Sequence, residues 1–177
     1  MNVAIVSIGD ELMNGFTVDT NSSWIAKKIL QYKSLNVVSK ITVKDDIDDI
    51  KDNLDYLIKG DINYIFITGG IGPTHDDITK KALADYFNTS LILNSQYYSR
   101  LQEFFKNKNI KITPNLKSQA QILENSVPIP NRYGTALGMK IDHEKSIIFV
   151  LPGVPKEVKG MIEEEIFPSY FSSNLEK

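Results

Sequence analysis

The chain has 177 residues, of which 42% are hydrophobic, enough for one domain with a sizeable core. Its 20 basic and 22 acidic residues leave a formal net charge of −2, which excludes an overall field for wrapping nucleic acid or lying on an anionic membrane. The absence of cysteine excludes disulfides, thiolate metal sites and cysteine nucleophiles. The first apolar run, Val3 to Ile8, is too short and lacks the basic leader of a signal peptide, and nothing approaches the roughly eighteen consecutive apolar residues of a membrane helix. A cytoplasmic protein is expected.

In chain order, Asn2 to Ile8 is a β-branched, nearly continuous apolar run that suits a strand covered on both faces. N-cap candidates at Asp19-Thr20-Asn21-Ser22 precede a helix from about Asn21 to Tyr32, with Ile25, Ala26, Ile29 and Leu30 as its stripe. Asn36 to Val43 reads as a second strand. Asp45-Asp46 then caps a helix whose Ile47, Ile50, Leu54, Leu57 and Ile58 share one face. Tyr64 to Thr68 is a third strand, followed by a glycine-rich loop and a helix from about Asp77 to Phe87 carrying Ile78, Ala82, Leu83 and Tyr86. Such strand–helix alternation predicts a mostly parallel sheet with helices on both faces.

The second half is less regular. Leu91 to Leu93 reads as a short strand, Tyr97 to Lys108 as an amphipathic helix, and Asn115 to Leu123 as a further helix entered through Thr113-Pro114. Pro128 and Pro130 enforce an extended connection. Ala136 to Ile141 and Ser146 to Leu151 flank a hairpin turn at Asp142-His143-Glu144-Lys145, and Val158, Met161, Ile162 and Ile166 mark a last helix. One domain over residues 1–170 with a tail at 171–177 is expected.

Four polar clusters fall after strands, where a doubly wound sheet places its ligand. The first is Gly9-Asp10-Glu11, with Gly15 and Asp19-Thr20-Asn21 just beyond. The second, Thr68-Gly69-Gly70-Ile71-Gly72-Pro73-Thr74-His75-Asp76-Asp77-Ile78-Thr79, joins a strand to a helix as phosphate loops do, because glycines let backbone N–H groups approach an anion. The third is Asn131-Arg132-Tyr133-Gly134-Thr135-Ala136 and the fourth Pro152-Gly153-Val154-Pro155-Lys156-Glu157. Singly, each is ordinary turn and cap chemistry. Two carboxylates beside a phosphate loop point to a divalent cation or proton transfer, although capping a helix dipole accounts for one of them. Arg132, one of only two arginines, reads equally as a solvated loop residue or a phosphate ligand, whereas Lys156 early in a helix is mildly unfavourable and leans toward function. His75 and His143 read as surface, the acidic run Asp45 to Asp49 as a capped helix start, and Trp24, Tyr97, Tyr98, Phe104 and Phe105 as packing residues.

As an ordered set, Gly9-Asp10-Glu11-Leu12, Asp19-Thr20-Asn21, Gly69 to Thr79, Gly134-Thr135-Ala136 and Leu151 to Glu157 resemble the N-terminal domain of the competence/damage-inducible CinA proteins, within the wider molybdopterin-binding family. The likeness runs from about Asn2 to Pro168. It implies a three-layer α/β/α domain and a metal-dependent pyrophosphatase acting on ADP-ribose, with kinship to domains that bind molybdopterin and adenylylate it. It also implies a homo-oligomer, dimer or trimer, and a small-molecule nucleotide or pterin phosphate as ligand.

On that resemblance Asp77 and Asp76 are the catalytic candidates, and Asp10, Glu11, Asp76 and Asp77 would hold a divalent metal, Mg²⁺ or a transition metal. Phosphate and ligand contacts fall to Gly69, Gly70, Ile71, Gly72, Thr74, Thr79, Gly9, Asn21, Arg132, Gly134, Thr135, Gly153 and Lys156. Two departures matter. The chain ends at Lys177 without room for the second, nicotinamide-mononucleotide-deamidating domain of many CinA proteins, so that activity is not expected. The family's Gly-Thr-Ala-Pro-Gly stretch reads Gly134-Thr135-Ala136-Leu137-Gly138, which predicts a looser loop. Two other readings stay open, a molybdenum-cofactor transferase or binding protein and a non-catalytic binding module.

Overall fold

Continuous apolar strands need cover on both faces, and the computed structural model, which describes residues 1–74, 77–111, 113 and 115–171, supplies it. The elements run β1 (Asn2–Ile8), α1 (Asp10–Met13), α2 (Thr20–Ile29), β2 (Asn36–Val43), α3 (Ile47–Lys59), β3 (Tyr64–Thr68), α4 (Thr79–Tyr86), β4 (Leu91–Leu93), α5 (Ser95–Asn107), α6 (Leu116–Gln119), β5 (Gln121–Leu123), β6 (Ser126–Ile129), β7 (Gly138–His143) and β8 (Ser146–Leu151). The last helix is α7 (Pro155–Met161), a π-turn (Ile162–Ile166) and α8 (Phe167–Tyr170) in succession. No described helix is long and apolar enough to cross a membrane.

The main sheet has the order β2-β1-β3-β8-β7-β6. The pairs β1/β2, β1/β3 and β3/β8 are parallel, whereas β8/β7 and β7/β6 are antiparallel. The sheet is mostly parallel, as expected: five of its six strands run the same way, and the expected tight hairpin, with His143 opposite Ser146 and Glu144 at φ 49, reverses β7 alone. Alternate residues of each central strand face opposite layers. Ala4, Val6, Ile8, Ile65, Ile67, Ile148 and Val150 pack with Ile50, Leu54 and Leu57 of α3 and Leu83 of α4. Val3, Ile5, Phe66, Phe149 and Leu151 meet Ile25 and Ile29 of α2 and Val158, Met161, Ile166 and Phe171 of the C-terminal helical run. The result is the three-layer α/β/α sandwich expected, with fully buried Phe66 and Phe149 at 5.0 Å between ring centroids.

Five boundaries differ from expectation. Asp10 and Glu11 open a one-turn helix where a turn was expected, and α2 ends at Ile29 because tighter i→i+3 bonds, Gln31 N to Lys28 O and Tyr32 N to Ile29 O, replace the α pattern. The expected helix from Asn115 to Leu123 stops at Gln119. Its last residues form β5, which pairs antiparallel with β4 and buries Ile122 and Leu123. The proline-rich connection forms edge strand β6, where Pro128 is tolerated. Finally, α4 starts at Thr79 rather than at Asp77.

Candidate functional site

The carboxyl ends of β1, β3 and β8 lie side by side. Gly9 N–H donates to Val43 O at 3.0 Å and Gly69 N–H to Leu151 O at 3.1 Å, so the loops after these strands start from neighbouring points. The chain leaves β1 toward β2 on one side and returns to β3 on the other, which makes β1/β3 the switch point where open α/β sheets bind ligands. A cleft of about 940 Å³ opens there. Gly9, Asp10, Glu11, Asn21, Gly69, Gly70, Gly72, Thr74, Asp77, Thr135 and Gly153, all expected site residues, line it.

The glycine loop is shaped by close approach. Gly69 sits at φ 103, and a Cβ there would stand 2.2 Å from Ile8 O. Gly70, at φ 66, would put its Cβ 2.1 Å from Thr79 Oγ1. The Thr79 hydroxyl donates to Gly69 O at 3.0 Å and its N–H to Gly70 O at 3.0 Å, so this fully buried threonine braces the loop from beneath. Ile71 likewise turns its side chain into the core. The Asp77 carboxylate accepts from Gly72 N–H at 2.7 Å, from Thr74 N–H at 2.6 Å and from the Thr74 hydroxyl at 2.6 Å. It thus closes the loop on itself, and a phosphate would compete with it for these donors. Asp76 and His75 lie outside the described residues.

Beneath Asp77 lies a group that no sequence signal singled out. Lys80 is buried, with Nζ donating to Ser118 O at 3.0 Å. Burial pushes its ammonium down to about 8, against the favourable charge of Asp77. Because the folded value lies below the unfolded 10.5, the unfolded chain binds the extra proton between about 8 and 10.5, and stability rises with pH across that window. Thermal melts of wild type and Lys80→Met at pH 7.5 and 9.5 are expected to show this gain, at most on the order of 3 kcal/mol, in the wild type and its absence in the variant. Parallel pH profiles for the two chains would refute it.

The opposite wall comes from the segment after β1. Asp19 caps α2 by accepting from Ser22 N–H at 2.9 Å and takes the Ser7 hydroxyl at 2.7 Å. Burial works to raise its carboxyl, but these bonds and the charge of Lys40 outweigh it and hold the group below the usual range. Asn21 Nδ2 donates to Gly153 O at 2.8 Å, joining the loops after β1 and β8. Asp10 and Asp45 cap one another at the cleft edge: Asp10 N–H donates to Asp45 Oδ2 at 2.9 Å and Asp45 N–H to Asp10 Oδ1 at 3.2 Å.

Other expected residues are not among those lining the cleft. Arg132 reaches Glu165 at 3.2 Å, and Lys156 lies over the Tyr133 ring at 5.5 Å. Gly134 stands against the Glu157 carboxylate, behind the lining. Conversely, Gln119, hydrogen-bonded to the Thr135 hydroxyl, and Asp45 enter the cleft from segments that carry no motif. Glu157, which ends the fourth cluster with no role assigned by the sequence, lines it too.

The donor set suits a hard cation held sparsely. Among the described residues no group of three or more histidine or acidic side chains could hold a metal ion alone, while Asp10, Glu11 and Asp77 all border the cleft. That pattern fits magnesium bound through one or two carboxylates together with ligand phosphate oxygens.

A family model described as "Probable molybdopterin binding domain" matches residues 4–170. A CinA-like protein of Flavobacterium psychrophilum is 39% identical over 172 residues, covering 95% of this chain and 40% of that protein. The chain thus spans about two-fifths of the length of such relatives. The crystal structure of the protein CinA, of unknown function, from Thermoplasma acidophilum matches with a TM-score of 0.80 at 28% identity over 92% of this chain and 94% of that one. The molybdopterin biosynthesis enzyme MoaB from Thermus thermophilus shares the fold, with a TM-score of 0.63 at 18% identity over 98% and 93% of the two chains.

Proposed function

The chain belongs to the molybdopterin-binding-domain family, and from that premise we propose that it is a nucleotide pyrophosphatase of the CinA type, hydrolysing ADP-ribose or a related nucleotide-sugar diphosphate. The observation that carries the reading is the convergence, in one cleft at the switch point, of the Gly69–Thr74 loop, the Asp77 carboxylate and the acidic edge at Asp10 and Glu11. A pyrophosphate needs backbone donors for its oxygens and carboxylates to handle a cation and a water. The similarity to CinA-like proteins supports the CinA type in this reading.

Asp77, with Asp10 and Glu11, would hold a divalent metal, which supplies charge neutralisation on the phosphates. The chain itself binds the diphosphate against the glycine loop and orients it on the wall that the bonded pair Asn21 and Gly153 forms. Water adds to one phosphorus, the bridging P–O bond breaks, and ADP-ribose leaves as AMP and ribose 5-phosphate. A second reading, a molybdopterin-binding or adenylylating protein, draws equally on the family description and on the MoaB fold.

Incubating the purified chain with ADP-ribose and Mg²⁺ or Mn²⁺ and separating the products by chromatography decides between them. AMP and ribose 5-phosphate are expected in equal amounts. No AMP with any metal, together with tight binding of a pterin phosphate, would favour the second reading.

A further inference from the structure

The cleft holds a carboxylate that the phosphate loop does not explain. Beside the glycine loop, its lining includes Glu157, in the first turn of α7. A carboxylate there repels phosphate, so its presence among the lining residues calls for a different partner.

Glu157 is held by a buried polar chain. Asn131, 2% exposed, donates Nδ2 to Glu157 Oε2 at 2.6 Å and to Ala136 O at 3.1 Å. Its Oδ1 accepts from Tyr133 N–H at 3.0 Å, which settles the orientation of the amide and leaves only N–H groups toward the glutamate. The hydroxyl of buried Tyr97 donates to Asn131 O at 3.2 Å and fixes the backbone behind it. Among the described residues Asn131 Nδ2 is the one hydrogen-bond donor on this carboxylate, although an ionised carboxylate accepts about four such bonds. Burial raises the Glu157 carboxyl, against the Asn131 bond, which marks the cost of keeping a charge at this position.

We propose that Glu157 is the specificity-determining group of the cleft, accepting hydrogen bonds from a neutral donor pair on the non-phosphate half of the ligand: the vicinal hydroxyls of a phosphosugar or the amino and ring N–H edge of a 2-amino-4-oxopteridine. The ligand class is then a phosphate ester or diphosphate with its anion on the glycine loop and its donors on Glu157. This rests on the cleft binding a phosphorylated small molecule, and it requires binding only, not hydrolysis.

Titration calorimetry of the wild-type chain and Glu157→Gln with ADP-ribose, a 2-amino-4-oxopteridine phosphate and inorganic pyrophosphate tests it. In the glutamine variant the amide oxygen must face Asn131, so its NH₂ turns to the cleft and the site changes from acceptor to donor. Wild type is expected to bind one donor-bearing compound at least about 10-fold tighter than pyrophosphate, and the variant to lose that advantage while pyrophosphate binds equally or more tightly. Loss with ADP-ribose identifies the sugar diol, and loss with the pteridine the N–H edge. Glu157→Asp, which keeps the charge but withdraws it by one methylene, gives the same loss should the glutamine variant melt early. Equal losses for all three compounds, no loss for any, or no wild-type preference over pyrophosphate overturns the inference. Retained discrimination without AMP release overturns only the pyrophosphatase reading.

Discussion

Asp77→Ala is expected to cut AMP release from ADP-ribose by at least about 100-fold and to lower stability by about 1–3 kcal/mol. The functional loss follows from the metal-holding role proposed for Asp77, which lines the cleft. The stability loss has a separate origin. Three donors, the N–H groups of Gly72 and Thr74 and the Thr74 hydroxyl, lose their acceptor together, and buried Lys80 loses the negative charge that favours its protonated form. Asp77→Asn separates the two effects. Its single amide oxygen takes some of the loop donors, so stability falls less than in the alanine variant, while turnover remains lost because the negative charge is gone. Product chromatography and thermal melting read the two quantities. An alanine variant that melts and turns over as wild type would refute both arguments.

Gly69→Ala is expected to be the most destabilising single-atom-group change in the site, above about 3 kcal/mol. The residue combines φ 103 with a would-be Cβ 2.2 Å from Ile8 O, and that atom is strand backbone in the sheet core, unable to step aside as a flexible side chain does. Gly15→Ala provides the control. It too has a positive φ, 74, but a Cβ there meets nothing within 4 Å, so only backbone strain of about 1 kcal/mol is expected. Urea unfolding of the two variants should therefore differ by several-fold in the free-energy change. Similar losses would mean that conformation, and not the approach to Ile8, explains the glycine at position 69.

Much of the architecture is legible because periodicity and punctuation are local properties. The apolar runs at Asn2–Ile8 and Tyr64–Thr68, the stripe from Ile47 to Ile58 and the caps at Asp19 and Asp46 all depend on residues within a turn or a strand of one another. Helix ends and the second half are less legible where a distant partner decides. Gln121–Leu123 becomes strand because Leu91–Leu93 lies ready to pair with it, and Asp77 stays out of α4 because its carboxylate is taken by Gly72 and Thr74.

The sequence by itself determined the α/β class, the family resemblance and the four clusters after strands, since glycine spacing and strand-to-helix order carry that information along the chain. Only the tertiary structure decided which members of those clusters meet. Thr79 and Ile71 fall beneath the loop, Arg132 turns to Glu165 and Lys156 to Tyr133, while Gln119, Asp45 and Glu157 come into the cleft. The physical reason is that a side chain's direction and partners are set by packing between elements far apart in sequence. The turns of the glycine loop are legible in its local spacing; the Glu157 carboxylate is held at the cleft only because Asn131 and Tyr97 are folded against it.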